Sequence, residues 1–211
     1  MSEAPEDQEE YYGLRKHLLR RTPKRLRVPL DWLISIAFAI LLIFVARLWL
    51  IAPYRIPSAS MEPTLHCQHR VADDGCLAHV SDRIIAAPII YRFRSPSRGD
   101  IAVFHSPAKA KTVCDHGGIF VKRIIGLPGE TVRERNDRIY INGRLLSEPY
   151  LKVTPRDSIN NTWKVPQGRY FLLGDNRTYS CDSRYWGSVT RSALIGPVVA
   201  TYWPLSRLSF R

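Results

Sequence analysis

The sequence predicts a mainly β domain anchored by one N-terminal transmembrane helix. A run of 20 residues, 32–51, carries no charge except Arg47, and a helix of that length can span a bilayer core. Beyond residue 56, short segments rich in Val, Ile, Tyr and Phe alternate with Gly, Pro and Asn-Gly turns, and we find no amphipathic helix pattern. With 45% hydrophobic and 24% charged residues among 211, the chain is neither disordered nor a polytopic membrane protein.

Residues 1–30 form a charged tail that orients the predicted helix. Residues 1–10 hold five acids and no base, and residues 15–27 then hold seven bases. Because basic residues concentrate on the cytoplasmic side of membrane helices, we expect the N-terminus in the cytoplasm. Residues 54–211 then form one domain on the outer side of a single-pass membrane protein.

Two other interpretations compete with a spanning helix over residues 31–53. A cleavable signal peptide has small residues after a shorter apolar region, whereas Pro53 and Tyr54 follow here. A buried helix of a soluble domain would show a polar face, which residues 32–46 lack apart from Ser35. The spanning helix is therefore the interpretation that we retain.

Seven segments beyond the helix are typical of strands. They are rich in β-branched and aromatic residues, and Asn142-Gly143 between two of them predicts a two-residue hairpin turn. We expect them to form a mainly antiparallel sheet domain. The predicted strands are 83–90, 100–105, 119–125, 131–135, 138–141, 169–173 and 194–202.

The net charge of +12 permits nucleic acid, anionic lipid or acidic protein as a partner. Residues 31–211 retain 24 bases and 14 acids, so the outer domain is itself basic. A nucleic-acid-binding domain would interleave bases and aromatic residues on one element, and we find neither such an element nor a recognition motif. We therefore expect anionic membrane lipid as a partner and no nucleic acid.

The first segment that suggests chemistry is Pro-Ser-Ala-Ser-Met-Glu-Pro-Thr-Leu, residues 57–65. Ser58 and Ser60 would share one side of an extended chain, and the flanking prolines disfavour a helix. A serine-rich linker next to a membrane would also explain the two serines. The apolar tail of the segment, however, does not fit a flexible linker.

The second segment contains Lys122. A strand would place Phe120, Lys122 and Ile124 on one face. A lysine between apolar neighbours can lose its hydration, which lowers its pKa and frees a lone pair near neutral pH. A lysine at the rim of a sheet, with its ammonium in water, is the alternative that this segment leaves open.

The third segment is a dense polar loop, residues 174–187, directly after the predicted strand 169–173. Asx turns and Arg–Asp pairs hold many such loops together. This structural explanation covers Asp175, Asp182 and Arg184.

Together the segments resemble the type I signal peptidases of peptidase family S26, the membrane-anchored serine proteases that remove export signals. The resemblance covers the chain from the membrane helix to Pro204, and it implies an antiparallel β-sheet catalytic domain. The motifs, in the order of the family, are SxSMxPTL at 58–65, RGDIxVF at 98–104, VKRIIGLPGE at 121–130 and GDNRxxSxDSRxWG at 174–187.

The resemblance implies a role for each matching position. Ser60 would be the nucleophile and Lys122 its general base. Ser58, with the backbone N–H of Ser60, would stabilise the oxyanion, and Ser180 would orient the lysine ammonium. The eukaryotic reticulum branch has His in place of this lysine, so the bacterial or organellar branch matches better. The positions of supporting ion pairs are Arg123, Asp175, Asp182 and Arg184.

The resemblance also implies substrates and a location. The substrates would be exported preproteins with small residues, typically Ala, at positions −1 and −3 of the cleavage site. A substrate strand would add to the extended edge at residues 57–60. We expect the protein in a bacterial cytoplasmic membrane, close to the export translocon, with neither a cofactor nor a metal.

An insert at residues 66–79 departs from the family. Metal-ligand spacing can be drawn through its His and Cys residues. An oxidising compartment and a turn-like Asp73-Asp74-Gly75 favour a disulfide between Cys67 and Cys76 instead. Cys114 and Cys181 leave other pairings open.

Two alternatives to this function remain. A repressor-type or pilin-processing conjugation peptidase shares the Ser/Lys chemistry, but the membrane helix argues against the first and Pro63-Thr64-Leu65 against the second. A non-enzymatic membrane-anchored binding protein requires neither Ser60 nor Lys122. It leaves three motifs in register unexplained.

Overall fold

The computed structural model of the protein describes residues 24–49, 51–70, 75–151 and 159–211. The chain divides into two compact units, with the boundary between Leu48 and Trp49. The described residues of the first unit, 24–48, are all helical and belong to helix α1, Lys24–Trp49, which begins before the predicted span. No helix in these described ranges is both long and apolar enough to cross a membrane. The charged tail up to residue 23 lies outside the described residues.

The second unit is mainly antiparallel β-sheet, which confirms the predicted class of the domain. Its short helices are α2 (Ile90–Phe93), α3 (Ala108–Val113) and α4 (Ser183–Trp186). Its strands are β1 (Ala52–Arg55), β2 (Arg83–Ala86), β3 (Ile101–His105), β4 (Ile119–Gly126), β5 (Thr131–Arg135), β6 (Arg138–Ile141), β7 (Arg144–Leu145), β8 (Thr162–Lys164), β9 (Arg169–Leu173), β10 (Val189–Thr190), β11 (Leu194–Trp203) and β12 (Ser209–Phe210).

Two sheets divide these strands. The larger has the order β1-β2-β11-β3-β4-β9-β10, with β12 paired to β11, and every pairing is antiparallel. The smaller has the order β7-β6-β5-β8. The predicted hairpin forms between β6 and β7, where Asn142 and Gly143 both take positive φ, 51° and 82°. That left-handed conformation is the one that such a two-residue turn requires.

The predicted strand 83–90 is too long. The strand ends at Ala86, and helix α2 follows within a few residues. Pro88 accounts for the end, because a proline has no N–H to donate to a neighbouring strand. The strands that the sequence does not predict, β1, β7, β8, β10 and β12, have only two to four residues each, too few to show an alternating pattern.

The core beneath the larger sheet fixes the chain that follows β1. Met61 and Leu65 are 1% and 0% exposed and belong to one apolar cluster with Ile84 and Val103. Complete burial of one such side chain is worth about 1.5–3 kcal/mol. Ile56, which precedes Ser60, is 2% exposed and belongs to the same cluster, so the core anchors the segment just after β1 on both sides of Ser60.

Candidate active site

Ser60 lies in a 3-10 turn, Ala59–Met61, which three residues separate from the end of β1. The sequence predicts an extended chain here, and Ser58 is extended, with φ −134° and ψ 157°, but the chain turns at the next residue. The turn closes where the N–H of Glu62 donates to the carbonyl of Ala59 at 3.0 Å. Ser60 is only 7% exposed.

Lys122 lies within β4, opposite Ala102 of β3, and is 5% exposed. Its Nζ donates to Ser60 Oγ at 2.5 Å, although 62 residues separate the two in sequence. The sheet thus brings together the two residues that the sequence singles out as nucleophile and base.

Burial favours the neutral form of the Lys122 side chain. Loss of hydration lowers the pKa of its ammonium from 10.5 to about 8. The carboxylates of Asp182 and Asp175 raise this pKa and the guanidinium of Arg184 lowers it, each by less than burial does. A useful fraction of the lysine is therefore unprotonated near neutral pH and can accept a proton from Ser60.

The Ser58 hydroxyl faces the same space as the nucleophile candidate. Its Oγ lies 3.4 Å from Ser60 Oγ, and the residue is exposed. A hydroxyl at this position can donate to an oxygen that develops negative charge beside Ser60.

Ser180 is buried, 4% exposed, and its Oγ has no hydrogen-bond partner within the described part of the chain. Gly174 allows Ser180 to approach the turn Ala59–Met61, which we call the nucleophile turn. A Cβ at Gly174 would lie 2.2 Å from Ser180 Oγ and 2.4 Å from the Ser60 carbonyl oxygen, so only glycine fits. Sequence reasoning did not single out Gly174, because a glycine after a strand is equally typical of a turn. An orienting contact from Ser180 to Lys122 stays a prediction.

Arg123 and Asp175 form a bidentate ion pair, with N–O distances of 2.8 and 2.6 Å. Arg123 also donates to the Gly99 carbonyl at 2.9 Å, and its guanidinium lies 3.8 Å from the centre of the Tyr150 ring. The pair ties β4 to the start of the polar loop. Tyr150 lies outside every motif, and only the fold reveals its contact.

Asp182 and Arg184 form a second ion pair inside the polar loop. Arg184 Nε donates to Asp182 at 2.9 Å, and its Nη2 donates to the Arg177 carbonyl at 2.5 Å. Asp182 also accepts the N–H of Gly174 at 3.1 Å. These bonds hold the loop on which Ser180 lies.

A cavity of about 360 Å³ lies beside the Ser60–Lys122 pair. Within the described chain no carboxylate lines it. Its lining includes Ser58, Ser60, Lys122, Ile56, Ile119 and Phe120.

Both pairs of cysteines are joined. The structure pairs Cys67 with Cys76, which the sequence favours, and Cys114 with Cys181, which the sequence leaves open. The second bridge connects the chain just after α3 to the residue that follows Ser180. Among the described residues no group of His, Cys, Asp and Glu is placed to hold a metal ion.

The family model and the relatives found by sequence agree on one family. The family model described as signal peptidase, peptidase S26, matches residues 29–203. A probable signal peptidase I-2 from Synechocystis sp. is 37% identical over 198 residues, covering 92% of this chain and 84% of that protein. A signal peptidase IB from Staphylococcus aureus is 32% identical, covering 86% of this chain and 93% of that protein. The crystal structure of a signal peptidase I from Enterococcus faecalis is 40% identical, with a TM-score of 0.41, over 49% of this chain and 97% of that one.

Proposed function

The chain belongs to the signal peptidases of peptidase family S26, and we propose that it cleaves signal peptides from exported preproteins with a dyad of Ser60 and Lys122. Membership of this family supports serine endopeptidase activity. The contacts, burial and charges of the described residues support the dyad, the substrate preference and the membrane anchor.

One observation carries the proposal. The Nζ of Lys122 lies 2.5 Å from Ser60 Oγ, and burial lowers the pKa of this lysine to about 8. A serine hydroxyl becomes a good nucleophile only when a neighbouring base removes its proton. A buried lysine in contact with a buried serine supplies both the reach and the basicity at neutral pH.

In the first half of the reaction, neutral Lys122 accepts the proton of Ser60 as Oγ attacks the carbonyl carbon of the scissile peptide. The oxygen of that carbonyl gains negative charge, which the backbone N–H of Ser60 and the hydroxyl of Ser58 stabilise. Protonated Lys122 then donates its proton to the leaving amine. The C–N bond breaks and leaves an ester on Ser60.

In the second half, a water molecule replaces the departed amine. Neutral Lys122 removes a proton from this water, and the hydroxide attacks the ester carbonyl. The ester bond breaks, the proton returns from Lys122 to Ser60 Oγ, and the signal peptide leaves as a carboxylic acid.

Two unpaired strand edges support the binding of an extended substrate. Within the described residues β1 pairs only with β2, and β4 pairs with β9 only from Arg123 onward. Residues 119–122 of β4 and the end of β1 both line the cavity. A substrate strand can donate and accept main-chain hydrogen bonds there, while the apolar side chains of Ile56 and Phe120 favour small apolar residues at −1 and −3.

The segment of residues 31–53 is the proposed membrane anchor. Large apolar side chains along α1 are exposed, among them Trp32, Phe38 and Phe44 at 67%, 54% and 59%. Lipid is the environment that such a surface favours, and anionic headgroups suit the basic outer domain. Alkaline carbonate extraction of membranes that contain the full chain tests this: we expect the protein in the pellet, and its release as a soluble protein would contradict the anchor.

The proposed activity is tested with two synthetic preproteins that differ only at positions −1 and −3. We expect purified full-length protein to cut the version with Ala at both positions, and N-terminal sequencing of the product to place the cut after −1. The version with Leu at both positions should stay intact. Binding of the Ala version without cleavage would favour a non-enzymatic binding protein, and equal cleavage of both would refute the proposed preference.

A further inference from the structure

Glu62 follows the nucleophile turn directly, and none of the roles assigned so far involves its side chain. It is 2% exposed, and a carboxylate is seldom buried to that extent unless its oxygens have partners. Its Oε1 accepts the N–H of Cys67 at 3.0 Å and the N–H of Leu77 at 3.1 Å. Its Oε2 contacts Nδ1 of His66. One buried carboxylate thus binds the chain at both ends of the Cys67–Cys76 bridge.

We call the described residues 66–70 and 75–77, with that bridge, the disulfide segment. The backbone of Glu62 closes the nucleophile turn, because its N–H donates to the Ala59 carbonyl. The side chain of the same residue holds the disulfide segment. Glu62 therefore joins the two directly.

A second contact presses the disulfide segment against the site. Gly75 has a φ of +71°, and a Cβ there would lie 2.9 Å from Tyr179 Cδ1 and 3.0 Å from Ala59 Cβ. Ala59 directly precedes Ser60 in the chain, and Tyr179 directly precedes Ser180. Gly75 is thus the close-packed point between the disulfide segment and both serine-bearing loops.

A third contact reaches the wall of the cavity. Arg55, the last residue of β1, donates from Nη2 to Oε1 of Gln68 at 2.8 Å. Arg55 lines the cavity, so the disulfide segment touches both the nucleophile turn and one edge of the proposed substrate cleft.

We infer that Glu62 is a positioning residue, which locks the disulfide segment against the nucleophile turn and so holds Ser60 Oγ within reach of Lys122 Nζ. The inference rests on the proposed peptidase function. Ser60 and Lys122 belong to different elements, so their contact depends on how the turn is held. A displacement of about 1 Å between reacting groups can cost on the order of 100-fold in rate.

Two substitutions separate positioning from charge. Glu62→Ala removes both acceptor oxygens, so the buried N–H of Cys67 and the N–H of the exposed Leu77 lose the acceptor that they share. Glu62→Gln keeps a carbonyl oxygen in the place of Oε1 and can still accept both N–H groups. We expect Glu62→Ala to lower kcat by about 10-fold or more with KM changed less than about threefold, and Glu62→Gln to stay within about threefold of wild type in both.

Glu130→Ala is the matched control. The Glu130 carboxylate also accepts a backbone N–H, from Leu127 at 2.7 Å, and it contacts a second side chain, that of Arg98, at 2.5 Å. Its partners surround the turn between β4 and β5 rather than the nucleophile turn. We expect this variant to lose stability and to keep the kcat of wild type.

Amide hydrogen exchange gives a readout that does not depend on catalysis. We expect the amide of residue 62, which closes the nucleophile turn, to exchange faster in Glu62→Ala and not in Glu62→Gln or Glu130→Ala. Unchanged exchange in Glu62→Ala, a kcat within about twofold of wild type, or equal losses in Glu62→Ala and Glu62→Gln would each overturn the inference. If wild-type protein cleaves no preprotein but residue 62 still exchanges faster in Glu62→Ala alone, the proposed function is refuted and the positioning role stands.

Discussion

In water the Lys122 ammonium would hold its proton to about pH 10, and the Ser60 hydroxyl would be a weak nucleophile. Burial changes the lysine, since removal from water disfavours its charged form. Arg123, the next residue of β4, is also buried but stays charged, because Asp175 binds its guanidinium at two points. Two adjacent strand positions thus carry a base that can lose its proton and a cation that a carboxylate holds.

A pH profile of kcat/KM tests the state of Lys122. We expect activity to rise through an apparent pKa near 8, the value to which burial lowers the lysine. Below that pH the lysine is protonated and cannot accept the Ser60 proton, so the rate should fall about 10-fold per pH unit. A profile that is flat from pH 6 to 9 would show that proton transfer to Lys122 does not limit the reaction.

Asp175→Ala tests the buried ion pair. The substitution leaves the Arg123 guanidinium buried without its carboxylate, and we expect a loss of about 3–5 kcal/mol in the free energy of unfolding in urea. Arg94→Ala is the control, because Arg94 is 43% exposed in its pair with Asp100 and should cost less than about 1 kcal/mol. Equal losses in the two variants would mean that burial adds nothing to the Arg123–Asp175 pair.

At the scale of elements, the site depends on three pieces of chain that meet: the turn after β1, strand β4 and the polar loop after β9. Because side chains alternate along a strand, the sequence of β4 predicts that Lys122 and Arg123 lie on opposite faces. The turn at Ala59–Met61 was predicted as extended chain, since two prolines flank it and three residues show no helical period. Its conformation follows from the buried anchors on either side, which the sequence alone does not display.

The two disulfides should differ in their effect on stability. Cys114 and Cys181 are 67 residues apart and Cys67 and Cys76 only nine, so loop entropy predicts losses of about 4 and about 3 kcal/mol when each pair is replaced by serine. Peptide mapping without reductant should recover both pairs. Free thiols at these positions, or a larger loss for the Cys67–Cys76 double variant, would contradict this account.

For the molecule as a whole, the sequence predicted those features that depend on short stretches of neighbouring residues. The sheet class, the Asn142-Gly143 turn and the identity of the family were accessible from spacing and motifs. Gly174, Gly75 and Glu62 were not, because their importance comes from contacts that only the fold shows: with the Ser180 hydroxyl, with the Tyr179 ring, and with the backbone of the disulfide segment. In the insert at residues 66–79, which also shows metal-ligand spacing, the structure joins Cys67 and Cys76 in a disulfide.

Cleavage of one preprotein by wild type, Ser60→Ala, Lys122→Ala and the double variant tests the Ser60–Lys122 dyad most directly. Because a nucleophile and its base act as one unit, we expect each single variant to lose nearly all activity, by a factor of about 10³ or more, and the double variant to be no slower than either. Circular dichroism and the thermal unfolding curve should show that all four proteins are folded. Appreciable cleavage by Lys122→Ala, or losses in the single variants that add in the double, would contradict the dyad.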